Sequence, residues 1–145
     1  MAWVVDSCIL LDVALRDPAF GLPSALLLDG LRGEGLVVCP VSVIELTPQF
    51  GGRIENVREF LALMGADPHV AWLEADTENA AAGWTRYVAL KRAGSVSKRP
   101  VADLLIGSFA SRFQGLVTRN PQHFLPFFPE LVLRQPVPSA LTTSR

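Results

Sequence analysis

Short apolar runs alternate along this chain with longer segments that keep helical spacing. Residues 2–6, 36–39 and 116–118 predict buried strands, and residues 70–73 and 131–133 predict two weaker ones. Regular alternation of strands and helices favours a mainly parallel sheet that is covered by helices on both faces. We therefore expect an α/β fold of three layers, α/β/α, around four to five short strands.

The segments between these strands predict the covering helices, at residues 8–15, 23–32, 41–50, 53–64, 77–92 and 100–113. Asp6 or Ser7 is in position to cap the first of them. With 145 residues the chain is large enough for one well-packed domain. We expect this domain to span residues 1–135, and residues 136–145, which contain prolines, serines and threonines, to form a flexible tail.

Composition narrows the class of protein. No apolar stretch is long enough to cross a bilayer, and no secretory leader opens the chain, because Asp6 interrupts the first apolar run. We therefore expect a soluble cytoplasmic protein without a membrane partner. The two cysteines, Cys8 and Cys39, form no metal-binding pair, and with two histidines a zinc site is not expected.

Three acidic residues, Asp6, Glu45 and Asp103, each lie inside an apolar run. An ionised carboxylate among aliphatic side chains is costly unless it is compensated, and a shared hard cation would compensate all three. Two of these acids also have a simpler explanation: Asp6 suits a helix cap, and Asp103 suits the first turn of a helix. Glu45 has none, because no cap or turn requires an acid at its position. Asn120, which follows a predicted strand, suits a turn before Pro121.

The segments around these residues resemble the PIN domain, and in particular the VapC-type toxins. They read Val-Val-Asp-Ser-Cys-Ile-Leu-Leu-Asp from Val4, Ser-Val-Ile-Glu-Leu from Ser42, Arg-Pro-Val-Ala-Asp-Leu-Leu-Ile-Gly-Ser-Phe-Ala from Arg99, and Leu-Val-Thr-Arg-Asn-Pro-Gln-His-Phe from Leu116. The resemblance extends from residue 2 to about residue 133. It implies an endoribonuclease dependent on Mg²⁺ or Mn²⁺, usually dimeric, that is inhibited by a cognate VapB-like antitoxin encoded beside it.

The resemblance also assigns the catalytic residues. Asp6, Glu45 and Asp103 stand at the positions of the family's acids, and we expect Asp6 and Asp103 to ligate the metal and Glu45 to do so directly or through water. Asn120 stands where the family often has Asp, so we expect an amide ligand and one metal rather than two. A water activated by the metal would then attack the phosphodiester.

Neighbouring residues are expected to support this site. Ser7 and Thr118 would orient the ligands. His123 occupies a position that is often acidic in the family. Its side chain could orient a water or a phosphate, but we prefer a role in capping a helix or in packing.

Basic residues are the expected contacts to the RNA backbone. No acid occurs between Glu78 and Asp103, whereas this window contains Lys91, Arg92, Lys98 and Arg99. Such a run is often only a solvated face, but it leads directly into the segment of Asp103. We expect these four residues to bind RNA phosphates, with Arg119 closer to the chemistry.

Three further interpretations stay open at this point. The apolar residues of the first two helices form either ordinary core or a surface for an antitoxin or a second copy. A PIN domain that is catalytically weak or inactive, and that binds RNA or a protein, is the alternative to an enzyme, and Asn120 is its support. A DNA nuclease with the same acids is also possible, whereas a haloacid-dehalogenase-type phosphotransferase is disfavoured because Cys8 stands where it needs an acid.

Overall fold

The computed structural model describes residues 2–94 and 100–138. In this part of the chain all strands are parallel and form one sheet of five in the order β3-β2-β1-β4-β5. The strands are β1 (Trp3–Val5), β2 (Leu36–Val37), β3 (Ala66–Asp67), β4 (Gly115–Val117) and β5 (Leu133–Arg134). The predicted α/β class and the predicted parallel sheet are therefore confirmed.

Helices connect the strands and cover the sheet. They are α1 (Ser7–Ala14), α2 (Gly21–Leu31), α3 (Pro40–Leu46), α4 (Ile54–Met64), α5 (Glu74–Arg92) and α6 (Val101–Ala110), with short 3-10 helices at Arg32–Glu34, Thr47–Phe50 and Pro121–His123. No helix within residues 2–94 and 100–138 is both long enough and apolar enough to span a bilayer.

The core lies on both faces of the sheet. On one face Val5 packs with residues of α1 to α4, including Ile9, Leu28 and Leu61. On the opposite face the neighbouring Val4 packs with Phe109 of α6 and other residues. Successive residues of β1 thus face opposite layers, as the alternation of side chains along a strand requires, and the predicted three-layer arrangement is observed.

The third strand differs from the prediction. It is β3 at Ala66–Asp67, and residues 70–73 do not join the sheet. Pro68 has no N–H for a ladder, and Asp67 Oδ1 accepts a hydrogen bond from the His69 N–H at 2.8 Å, which turns the chain away from the sheet. Trp72 packs on the core without forming a strand.

The third helix is shorter than predicted. Pro48 lacks the N–H that would bond to the carbonyl of residue 44, so α3 ends at Leu46 and the chain continues as a 3-10 helix at Thr47–Phe50. The helix therefore presents less than two turns after β2, and those turns carry Glu45.

The centre of the sheet is a point where the strand order reverses. The chain adds β2 and β3 on one side of β1, and then β4 and β5 on the other, so the order reverses between β1 and β4. The N–H of Asp6, directly after β1, bonds to the carbonyl of Val117 at 2.9 Å. In open α/β sheets, ligands bind at such a reversal, outside the carboxyl ends of the strands.

Candidate active site

Asp6 lies at this reversal point. It stands at the N-cap position of α1, but its carboxylate makes no capping bond, and the Ser7 side chain does not cap the helix either. Instead Asp6 Oδ2 accepts a hydrogen bond from the Thr118 hydroxyl at 2.8 Å. The residue is only 5% exposed. The expectation that Asp6 or Ser7 caps α1 is therefore wrong, and the Asp6 carboxylate is directed towards the end of β4.

Ser7 links the first acid to the second. Its hydroxyl donates to Glu45 Oε1 at 2.9 Å and lies 3.5 Å from Asp6 Oδ1. Glu45 is exposed, as is Ile44 before it, whereas Val43 and Leu46 face the core. The expectation that Glu45 is a buried charge is therefore wrong. Its run is helical, so adjacent residues face different sides, and its apolar neighbours in sequence do not surround it.

Asp103 completes the group of acids from the other helical layer. It lies in the first turn of α6 and is about half-buried. Burial, together with the charges of Asp6 and Glu45 and against an opposing effect of His123, raises the pKa of its carboxyl to about 6. A nearby like charge has this effect on a carboxyl pKa. The charges of Asp6 and Glu45 thus act on Asp103 at this edge of the sheet.

His123 belongs to the same site. Its Nδ1 lies 3.5 Å from Asp103 Oδ2, and its side chain is 49% exposed. The imidazole thus lies beside the Asp103 carboxylate. Its role, which is capping or packing as we preferred from the sequence or orientation of a water or a phosphate, stays a prediction.

Thr118 and Asn120 follow β4 at the same edge. The Thr118 hydroxyl is fully buried; it donates to Asp6 and accepts a bond from the Asn120 N–H at 3.1 Å. Asn120 is partly buried, and in the described part of the chain its side-chain amide has no hydrogen bond. Its amide oxygen is therefore not committed to a partner within those residues.

The thiol nearest to these acids is not a nucleophile. Cys8 Sγ lies 3.4 Å from Asp6 Oδ2 and 3.8 Å from the Thr118 hydroxyl. Burial, and then the charge of Asp6, raise the pKa of this thiol to about 12, so it stays protonated at neutral pH. Cys8 and Cys39 are both free thiols.

The residue between Thr118 and Asn120 is paired with an acid that sequence reasoning missed. Arg119 Nη2 donates to Asp12 Oδ1 at 3.1 Å, and its Nε lies 2.8 Å from Asp12 Oδ2 in an ion pair without hydrogen-bond geometry. Asp12 is 5% exposed within α1. The sequence did contain an indication that Asp12 is buried, because Asp12 stands in an apolar run as Asp6 does.

The other predicted RNA contacts precede Asp103 along the chain. Lys91 and Arg92 lie exposed in the last turn of α5. Lys98 and Arg99 lie outside the described residues. The RNA-binding role of these four residues therefore stays a prediction.

The acids fit an open cation site better than a closed one. Among residues 2–94 and 100–138, no three Asp, Glu, His or Cys side chains lie close enough together to hold one ion. The donors are nevertheless oxygen atoms of the kind that hard cations prefer. Besides burial, the charges of Asp6 and Glu45 raise the pKa of Asp103, and a cation would relieve this repulsion. Mg²⁺ usually takes one or two carboxylates and keeps several waters.

Comparison with solved structures supports the interpretation of the fold. No family model matches the sequence, and no curated protein sequence matches it. A chain in the crystal structure of VapBC2 from Rickettsia felis, bound to a DNA fragment from their promoter, superimposes with a TM-score of 0.67. The two chains are 18% identical, and the match covers 93% of this chain and 98% of that one. The chain described here therefore has the PIN-like α/β fold that its four motifs predicted.

Proposed function

We propose that this protein is a metal-dependent endoribonuclease and the toxin of a VapBC-like toxin–antitoxin pair that acts in the cytoplasm. One observation carries the proposal. Asp6 is buried at the reversal point of the sheet without capping its helix, and together with Glu45 it raises the pKa of Asp103. Carboxylates that repel one another destabilise the fold, and a catalytic role explains why they are kept together.

A divalent cation, Mg²⁺ or Mn²⁺, is part of the proposal. Asp6 and Asp103 would ligate it, Glu45 would do so directly or through water, and Asn120 would offer its amide oxygen. When bound, the cation supplies a water of lowered pKa and polarises the scissile phosphate.

The chain's own residues prepare this site. Thr118 holds Asp6 Oδ2 with a 2.8 Å bond, and Ser7 holds Glu45 Oε1 with a 2.9 Å bond, so two of the three acids are oriented by hydroxyl groups. No side-chain nucleophile is required. The Cys8 thiol stays protonated, which agrees with a mechanism in which water attacks.

Substrate and partner belong to the same proposal. Lys91, Arg92, Lys98 and Arg99 would bind the RNA backbone, and Arg119 was predicted to lie nearer the chemistry. A VapB-like antitoxin and a second copy of the chain are the proposed protein partners. Leu15, Leu22 and Leu26 support a partner surface, since each is 60% or more exposed on or just after α1 and α2, whereas Ile9, Leu10, Leu28 and Leu31 of these helices form core.

The test is cleavage of three substrates by the purified protein with Mg²⁺ and with EDTA: single-stranded RNA, transfer RNA and a flap DNA. Metal-dependent cleavage of RNA supports the proposal. Binding of RNA without cleavage would favour the inactive PIN domain, and cleavage of the flap DNA alone would favour a structure-specific DNA nuclease.

A further inference from the structure

Arg119 is held on two sides in a way that a substrate contact does not require. Its guanidinium pairs with both carboxylate oxygens of Asp12, at 3.1 and 2.8 Å. Its Cζ also lies 4.3 Å from the centre of the Phe20 ring, just before α2. The Arg119 side chain is 32% exposed. The contacts with Asp12 and Phe20 thus fix the position of the guanidinium.

Asp12 depends on this pair. It is buried in the middle of α1, and burial raises the pKa of its carboxyl while Arg119 lowers it. A buried carboxylate that loses its cation is left with an uncompensated charge. The pair therefore fixes Arg119 to α1 rather than leaving it as a movable surface cation.

The pair also connects the two chain segments, α1 and residues 118–120, that flank Asp6. Helix α1 begins directly after Asp6, and its second turn carries Asp12. Arg119 lies between Thr118, which bonds to Asp6, and Asn120, whose N–H bonds to Thr118. The segment 118–120 is thus attached to the Asp6 end of α1 by the Thr118 hydroxyl and to its middle by the guanidinium of Arg119.

We propose that Asp12 and Arg119 are positioning residues, whose ion pair against Phe20 holds the segment 118–120 so that Thr118 and Asn120 are correctly placed at the metal site. The inference rests on the proposed function, because that site is what the pair positions. Arg119 acts through Thr118 and Asn120 and does not hold RNA.

Asp12→Asn separates this role from RNA binding. The substitution keeps the size of the side chain, removes the buried charge and touches none of the proposed metal ligands. We expect the affinity for Mn²⁺, measured by calorimetry, and kcat on single-stranded RNA to fall about tenfold each, the lower end of the effect of residues that support metal ligands. KM and the salt dependence of RNA binding should stay as in the wild type, because the groups that bind phosphate are unchanged.

Two further variants complete the test. Arg119→Lys keeps a cation but loses the planar guanidinium that contacts both Asp12 oxygens and the Phe20 ring, and its kcat and Mn²⁺ affinity should fall in part. The double variant Asp12→Asn with Arg119→Gln should be no worse than Arg119→Gln alone, since both changes break one interaction. This double variant buries no unpaired charge, so it also serves if a single variant folds poorly. Arg58→Gln, an exposed arginine of α4, is the matched control.

The outcomes are distinct. Wild-type kcat and Mn²⁺ affinity in folded Asp12→Asn would overturn this inference and leave the proposed function intact. A raised KM and a flatter salt dependence in Arg119→Gln, with kcat unchanged, would overturn it in favour of RNA binding. If the wild type neither binds Mn²⁺ nor cleaves RNA, the proposed function fails, and the inference fails with it.

Discussion

Nδ1 of His123 lies 3.5 Å from Oδ2 of Asp103, so an imidazole lies beside the carboxyl group whose pKa is raised by its surroundings. Burial, Asp6 and Glu45 raise the pKa of Asp103 to about 6, and His123 acts in the opposite direction. The site therefore combines its carboxylates with an imidazole.

Replacement of His123 should raise the pKa of Asp103 above about 6, because the opposing charge is lost. The measurement is a carbon NMR titration of the Asp103 carboxyl in metal-free protein, in the wild type and in His123→Gln. Asp103→Asn identifies the resonance, and His69→Gln, which changes an exposed histidine next to β3, is the control. An unchanged or lower pKa in His123→Gln would contradict the geometry.

Asp103 should make the metal-free protein less stable as the pH rises. Its folded pKa, about 6, lies above the ordinary value of 3.8, so the folded state binds this proton more tightly than the unfolded state. The contribution to the free energy of unfolding is thus greatest below about pH 4 and is lost between about pH 4 and pH 6. Above pH 6 the ionised Asp103 is a net cost.

Asp103→Asn removes that cost. In EDTA at pH 8 we expect a Tm higher by a few degrees, since about 1 kcal/mol corresponds to roughly 4 °C in a domain of this size. Asp29→Asn, an exposed acid of α2, should leave Tm unchanged. Thermal unfolding followed by circular dichroism checks both, and a lower Tm for Asp103→Asn would show that the carboxylate stabilises the fold.

The sequence was most informative where a residue's neighbours along the chain are also its neighbours in space. The strands β1 and β4 are apolar on both faces, so their apolar sequences predicted these strands directly. Asp6 and Thr118, which follow them, could therefore be placed at one edge of the sheet. Glu45 was misjudged for the opposite reason. Val43 and Leu46 of the same short helix face the protein core, whereas the Glu45 side chain accepts a hydrogen bond from Ser7 across 38 residues of sequence.

The remaining contacts depend on tertiary geometry. The side chains of Asp12 and Arg119 meet across 107 residues, and His123 approaches Asp103 from another segment. Neither contact follows from spacing along the chain. The error at residues 70–73 has the same origin, because Val70 and Trp72 pack on the core as a strand would, but without a neighbouring strand to pair with.

Thr118→Val should leave the Asp6 carboxylate without its 2.8 Å hydrogen bond. Because both groups are buried, we expect a loss of about 1–3 kcal/mol in the free energy of unfolding, together with weaker Mg²⁺ binding. Thr118→Ser keeps the hydroxyl and should lose much less. Urea unfolding measures the effect, and Thr85→Val, which removes an exposed hydroxyl in α5, controls for the change of side chain. Equal stability of the Val and Ser variants would show that the bond to Asp6 contributes little.

The basic end of α5 should govern the affinity for RNA but not its cleavage chemistry. Lys91→Ala with Arg92→Ala should weaken the binding of all single-stranded RNAs alike, and should reduce the slope of log K against log salt by about 0.7 for each phosphate that the variant no longer neutralises. Filter binding at several salt concentrations provides the measurement, with Arg58→Ala as the control. An unchanged slope would remove these two residues from the RNA surface.

The central claim is that the carboxylates at the reversal point of the sheet carry out metal-dependent cleavage of RNA. Its most direct test is the rate at which Asp103→Asn cleaves single-stranded RNA in Mg²⁺, compared with the wild type and with the wild type in EDTA. We predict that the variant is folded, as shown by circular dichroism, and that its rate is no higher than the rate of the wild type in EDTA. A folded Asp103→Asn that cleaves RNA at the wild-type rate would contradict the proposed active site.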